Sequence, residues 1–291
     1  MSARAGVLKT YKLLINGQFV RSESGRAFEV RGARGEFLAN VAQASRKDLR
    51  DAVLAARKAQ PSWAARTAYN RGQILYRIAE MLESRREAFE HEIARATGVS
   101  RTQAAREVST AIDRWVYYAG WSDKWSALLS SLNPVAMPVH NFTLPEPMGV
   151  VGLVCPDEAP LASLTSLLAP VIVSGNTAVV LLSECYPTVG LSFGEVLETS
   201  DLPAGVVNLL SGYRDELLPH LCAHVEVDAL NLCGVPEAQR APYEQTAAET
   251  VKRLHHSPRL SHADWCSERA QGLEWIESFT EMKTVWHPLG W

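Results

Sequence analysis

Among the residues of this chain that could carry nucleophilic or metal chemistry are five cysteines and eight histidines. Cys155, Cys185, Cys222, Cys233 and Cys266 are odd in number and lack framework spacing, which reads as reduced thiols in a cytoplasmic protein. A nucleophilic cysteine needs a thiolate beside an oxyanion hole. Cys266 sits in Asp264-Trp265-Cys266-Ser267-Glu268, where acidic neighbours raise a thiol's pKa and work against that role. His220-x-Cys222-x-His224 has the look of metal-ligand spacing, but residues two apart on a helix point to different faces. His255-His256 with His262 and Cys266 forms a second candidate, better read as linker composition. No metal site is expected.

Composition narrows the classes further. The formal net charge is −3, which implies no global attraction to nucleic acid or to a membrane surface. No run of 18 apolar residues occurs, so no transmembrane helix is expected. Met1 to Thr10 has no apolar stretch of the kind a signal peptide carries. A chain of 291 residues is long enough for one large or two modest domains with a sizeable core.

The elements that would position any site follow from periodicity. Asn16-Gly17 between apolar residues is a hairpin signal, because both turn positions favour positive φ. Ser45 to Lys58, stopped by Pro61, reads as a helix. Tyr69 to Ala96 and Gln103 to Lys124 are further helical regions, each with an apolar stripe. Leu132 to Met148 is rich in proline and β-formers, which suits an edge ribbon or an arm leaving the globule. Gly149 to Cys155, Thr177 to Leu182, Val206 to Leu210 and Val227 to Leu232 then alternate with helices as buried strands. That rhythm predicts a doubly wound, Rossmann-like α/β parallel sheet. It fails after about Arg253; Leu254 to Gly272 is polar and His-rich and reads as a linker. Trp265, Trp275, Trp286 and Trp291 crowd the tail, either facing a partner or packed on the chain's own sheet.

Together these residues resemble the aldehyde dehydrogenase superfamily. Leu14-Ile15-Asn16-Gly17 is similar to its opening hairpin and Tyr117-Tyr118-Ala119-Gly120-Trp121-Ser122-Asp123-Lys124 to its Y-Y-A-G-W-A-D-K. Pro147-Met148-Gly149-Val150-Val151-Gly152, Gly175-Asn176-Thr177-Ala178-Val179-Val180 and Leu202-Pro203-Ala204-Gly205-Val206-Val207-Asn208 match P-x-G-V-V-G, G-N-T-V-V-x and L-P-x-G-V-V-N. Phe279-Thr280-Glu281-Met282-Lys283-Thr284-Val285 resembles the last strand, Y-T-E-V-K-T-V.

The departures carry as much information. Where the family has P-W-N-F-P, with an oxyanion-stabilising Asn, this chain has Pro156-Asp157-Glu158-Ala159-Pro160; a carboxylate there accepts only and repels an oxyanion. In place of K-P-A-E, which holds the adenosine ribose, stands Leu181-Leu182-Ser183-Glu184, with the Glu kept and the Lys lost. In place of F-T-G-S-T-E-x-G stands Leu232-Cys233-Gly234-Val235-Pro236-Glu237-Ala238-Gln239, with one glycine left and Pro236 removing a backbone donor. Leu254-His255-His256-Ser257 replaces the general-base E-L-G-G, and G-Q-x-C, which bears the nucleophile, does not occur.

The resemblance thus implies a truncated, non-catalytic member, similar to the C-terminal unit of the tandem sixteenth aldehyde dehydrogenase family. A complete member needs roughly 450–500 residues on ordinary domain sizes. The expected domains are a cofactor-binding-like domain over 1–131 and 149–254, an oligomerisation arm over 132–148 and 274–291, and a linker over 255–273 in place of the catalytic domain. No catalytic residue is expected, and no cofactor; Glu184 and Gly234 are the residues that would hold NAD if it bound. The arm would join a full-length catalytic aldehyde dehydrogenase subunit through Val135, Val139, Phe142, Leu144, Phe279, Met282, Val285 and Trp286. The alternative is an NAD-binding subunit that contributes directly to aldehyde oxidation.

Overall fold

The computed structural model describes residues 9–289. Most of the segment read for a signal peptide, and Trp291, lie outside the described residues. Strands β1 (Leu13–Ile15) and β2 (Gln18–Val20) form the expected hairpin. Asn16 and Gly17 take φ of +52° and +69°, the paired left-handed conformation that matches a tight turn to strand twist. A second hairpin, β3 (Ala27–Arg31) and β4 (Phe37–Ala42), makes a separate two-stranded sheet.

Five helices follow. α1 (Arg46–Ala64) opens on a reciprocal cap between Ser45 and Asp48. It runs through Pro61 instead of stopping there. Pro61 lies in the last turn, where a missing N–H and a ring clash disturb only the helix end. Trp63, fully buried, draws that turn onto the core and donates its indole N–H to the Ile172 carbonyl at 2.9 Å. The helical region that reads as continuous after Tyr69 divides into α2 (Ala68–Glu83) and α3 (Arg86–Thr97), the second ending on left-handed Gly98. α4 (Arg101–Trp121) and the short α5 (Trp125–Leu129) complete this region.

β5 (Ser131–Leu132) and β6 (Val139–Pro147) begin a ribbon. The α/β rhythm then runs β7 (Val150–Val154), α6 (Pro160–Val173), β8 (Thr177–Leu181), α7 (Pro187–Glu198), β9 (Val207–Leu210), α8 (Arg214–Ala223), β10 (Ala229–Asn231), α9 (Ala241–Ala248) and β11 (Arg253–His255). The main sheet has the order β11-β10-β7-β8-β9-β1-β2, parallel from β11 to β9. The opening hairpin extends it by antiparallel pairing of β1 with β9, which periodicity alone does not indicate. α2, α4, α6 and α7 pack one face, with α6 buried along its whole length; α1, α8 and α9 pack the other. The fold is the expected doubly wound α/β layer structure.

The tail differs from expectation. Residues 255–273, read as a linker, contain the end of β11, α10 (His262–Trp265) and the first residue of α11 (Leu273–Glu277). Leu260, Trp265, Cys266, Ala270, Trp275 and Ile276 are all buried in the main core. These anchors come singly or in adjacent pairs among polar residues, some of which cap short turns, so no periodic stripe betrays them. The final strand β12 (Thr280–Pro288) pairs antiparallel with β6 over nine residues, from Thr280 opposite Pro147 to Pro288 opposite Val139. β5 covers only Phe142 and Thr143 on the other side, which leaves Pro145 and Pro147 without a ladder partner there.

Candidate functional site

The strand order reverses between β7 and β10, so the loops leaving their carboxyl ends diverge and open a crevice. It encloses about 440 Å³ and is lined by Asp157, Glu158, Arg214, Cys233, Gly234 and Arg240, among others. Arg214 reaches across from the start of α8: its Nη2 donates to the Cys155 carbonyl at 2.9 Å and to Asp157 Oδ1 at 3.0 Å. Asp157 Oδ1 also accepts from the Ser183 hydroxyl at 2.7 Å and the Cys185 amide at 3.3 Å. Burial works against the Asp157 carboxylate, but the Arg214 guanidinium and these donors outweigh it and hold the carboxyl below its usual range. This clasp ties together the carboxyl ends of β7 and β8 and the start of α8. Nothing in the sequence pattern singles out Arg214; only the parallel topology brings its partners to it.

Glu184 and Gly234 both lie beside this clasp, each with a structural task. Glu184 Oε2 accepts the Arg214 backbone N–H at 2.9 Å, so the carboxylate caps α8. A Cβ at Gly234 would stand 2.2 Å from the Cys155 carbonyl oxygen, so the glycine lets two loop backbones touch. Gly234 N–H donates to the Val154 carbonyl at 2.8 Å in the same contact. Replacing Gly234 with alanine is expected to cost about 2 kcal/mol by overpacking against backbone, seen as a lower urea midpoint with an unchanged slope. An unchanged midpoint would show that the two loops separate freely. Val235, where the family pattern has a small hydroxyl residue, is buried, and Pro236 and Glu237 bring no donor and a negative charge to the short turn that follows.

None of the thiols has an activating environment. Burial pushes Cys233 up to about 12 and Cys155 higher still. Cys185 is raised by burial and by Asp157. Cys266 is pushed up to about 11, first by burial and then by Glu107. The acidic sequence neighbours expected to act on it, Asp264 and Glu268, are not the cause. The histidines near it do not converge. His255 stacks edge-on against Phe279, His256 Nε2 lies 3.5 Å from Glu244, and His262 Nε2 lies 3.0 Å from Glu107. In the other group Cys222 is buried, while His220 and His224 are half-exposed. Among the described residues no three His, Cys, Asp or Glu side chains gather as a metal cage. No helix among them is long and apolar enough to cross a membrane.

The arm residues fall into two groups. Met282 and Trp286 are exposed, Trp286 by 56%, and alternate with Val285, Phe142 and Leu144 on the opposite ribbon face. Val135 and Val139 are half-buried at the ribbon's far end. Phe279 does not belong with them. It is 2% exposed, in the main core, and its carbonyl accepts from Asn176 Nδ2 at 2.8 Å. It precedes β12 and anchors the ribbon's base, where Arg253 also donates to Thr280 O at 2.7 Å and Glu281 at 2.8 Å. Trp265 and Trp275, two of the four clustered tryptophans, are likewise core residues.

Known proteins with this sequence pattern and this fold agree with one another. The model of the family described as "Aldehyde dehydrogenase family" matches residues 19–257. Mitochondrial benzaldehyde dehydrogenase of Antirrhinum majus is 35% identical over 245 residues, 83% of this chain and 45% of that protein. Retinal dehydrogenase 2 of Mus musculus is 32% identical over 88% of this chain and 51% of its own length. Among solved structures, an NAD+ complex of aldehyde dehydrogenase from Bacillus cereus superposes with a TM-score of 0.80 at 28% identity, covering 85% of this chain and 50% of that one. NAD-dependent aldehyde dehydrogenase from Sinorhizobium meliloti gives 0.79 at 26%, with 86% and 50% covered. The chain therefore spans about half the length of the relatives it matches. With the family model matched over residues 19–257, most of its length, the chain belongs to the aldehyde dehydrogenase family.

Proposed function

We propose that this chain is a non-catalytic aldehyde dehydrogenase-like subunit that joins a full-length catalytic aldehyde dehydrogenase through its ribbon, in a scaffold or regulatory role. The carrying observation is β12: nine residues paired on one side only, with large apolar groups exposed on both ribbon faces. An open edge of this length is either an aggregation hazard or a docking strand, and strand addition to a partner's sheet uses it fully. The crevice supports the non-catalytic part. Glu184 and Gly234 are committed to holding loops, Arg214 spans the entrance, and Glu158 stands where an oxyanion would need a donor. On this reading the crevice does not hold NAD.

Co-expression with a full-length aldehyde dehydrogenase from the same genome is expected to yield a complex that co-purifies. The double variant Met282→Asp with Trp286→Ala is expected to weaken it at least about a hundredfold, as loss of interface anchors does, while leaving the thermal midpoint unchanged. Persistent failure to co-purify, with a monodisperse homodimer of this chain alone, would overturn the proposal. The second reading, an NAD-binding subunit that takes part in turnover, is favoured by the NAD+-bound Bacillus cereus relative. Calorimetry of NAD on the purified chain separates the two, since binding at or below millimolar concentration supports the second alone.

A further inference from the structure

The ribbon carries a second chemistry that goes beyond partner docking and does not depend on it. In the β6/β12 ladder His287 stands directly opposite His140. Residues opposed in an antiparallel pair point to the same face with Cβ atoms about 4.5–5.5 Å apart. The His140 ring lies 5.2 Å from that of Phe142, the neighbour two positions along the same face, and both histidines are exposed. Two imidazoles bound tetrahedrally at the usual zinc–nitrogen distance have their nitrogens about 3.3 Å apart, a separation that opposed rings reach by rotating about χ1 and χ2. Lys283, four residues before His287 on this face, has its ammonium held by Glu146 at 3.1 Å, so its charge is already paired.

We propose that His140 and His287 form a two-imidazole site for a divalent transition metal of the zinc or nickel class, which clips the two strands together at the open end of the ribbon. The remaining coordination positions go to water or to a ligand supplied by a docked surface. The other histidine pair at chelating distance in sequence, His220 and His224, is less suited. His224 Nδ1 accepts the Glu226 N–H at 3.2 Å, which places the ring proton on Nε2, so neither ring nitrogen has a free lone pair for a metal. His256 and His262 are each engaged by a glutamate.

The test titrates zinc chloride, and separately nickel chloride, into the full chain after chelator treatment, with calorimetry and amide hydrogen exchange as readouts. One site is expected, with slower exchange confined to β6 and β12. His140→Ala and His287→Ala are each expected to weaken binding at least about tenfold and to abolish the local protection, since one imidazole alone cannot chelate. His220→Ala is expected to change neither. No binding at millimolar metal, binding unchanged in both ribbon variants, or binding lost only in His220→Ala would overturn the proposal.

Discussion

Trp265→Ala is expected to destabilise the protein by about 3–5 kcal/mol, the range for removing a fully buried aromatic. Trp265 is 1% exposed and meets Trp275 edge-on, with ring centroids 6.1 Å apart. The segment around it is bolted to α4. Arg114 Nη2 donates to the carbonyls of Trp265 at 3.2 Å and Ser267 at 2.9 Å, its Nη1 reaches Gln271, and Arg106 donates to the Cys266 carbonyl at 3.2 Å. A cavity at Trp265 would therefore loosen the whole stretch that carries the chain from β11 to the ribbon. Trp286→Ala is the matched control: that ring is 56% exposed, and its loss is expected to move stability by no more than about 0.5 kcal/mol. Urea unfolding of the two variants reads the contrast directly. Equal midpoints would show that residues 255–273 are a linker after all, packed on the globule without contributing to it.

That contrast also marks where the sequence is legible and where it is not. The parallel strands are continuous apolar runs between turn residues, because both faces of the sheet are covered, and they can be read one by one. Tyr117 to Lys124 and Leu202 to Asn208 identify the family for the same reason, as local patterns that survive intact. Phe279 reads as a partner contact, and Trp265 and Trp275 as either partner-facing or packed on the chain's own sheet. Their burial depends on α4 and α6 lying more than 90 residues earlier in the chain, and nothing local encodes that contact. Arg214 is the corresponding case in the crevice, where four residues from three elements meet only because β7 and β8 are parallel neighbours. Pattern singles out Glu184 and Gly234 as the residues that would hold NAD, but it cannot say that one caps a helix and the other admits a backbone.

Glu107→Ala is expected to cost about 3–5 kcal/mol, the cost of breaking a buried charged contact. Glu107 is fully buried in the middle of α4, where a carboxylate has no business unless something binds it. Its Oε1 accepts the N–H groups of Leu161 at 2.8 Å and Ala162 at 3.4 Å, and its Oε2 meets His262 Nε2 at 3.0 Å. α6 starts from left-handed Ala159 with no capping side chain of its own, so Glu107 supplies both the missing acceptor and the negative charge its N-terminus favours. Removing it strands two buried donors, whereas Glu107→Gln keeps an acceptor and should cost about 1–2 kcal/mol. His262→Ala should cost less than about 1 kcal/mol, because that ring is partly exposed and water can take its place. Chemical denaturation of the three variants gives the ranking, and His262→Ala as the worst of them would show that the contact with His262, not the helix start, is what Glu107 serves. The expected order bears on function as well. The first helix after a strand at the crossover is where an α/β sheet usually offers its amides to a ligand's anion. Here the Leu161 and Ala162 amides are already bound by the chain's own carboxylate, so the start of α6 does not offer them to a ligand, which fits a chain that acts through its ribbon.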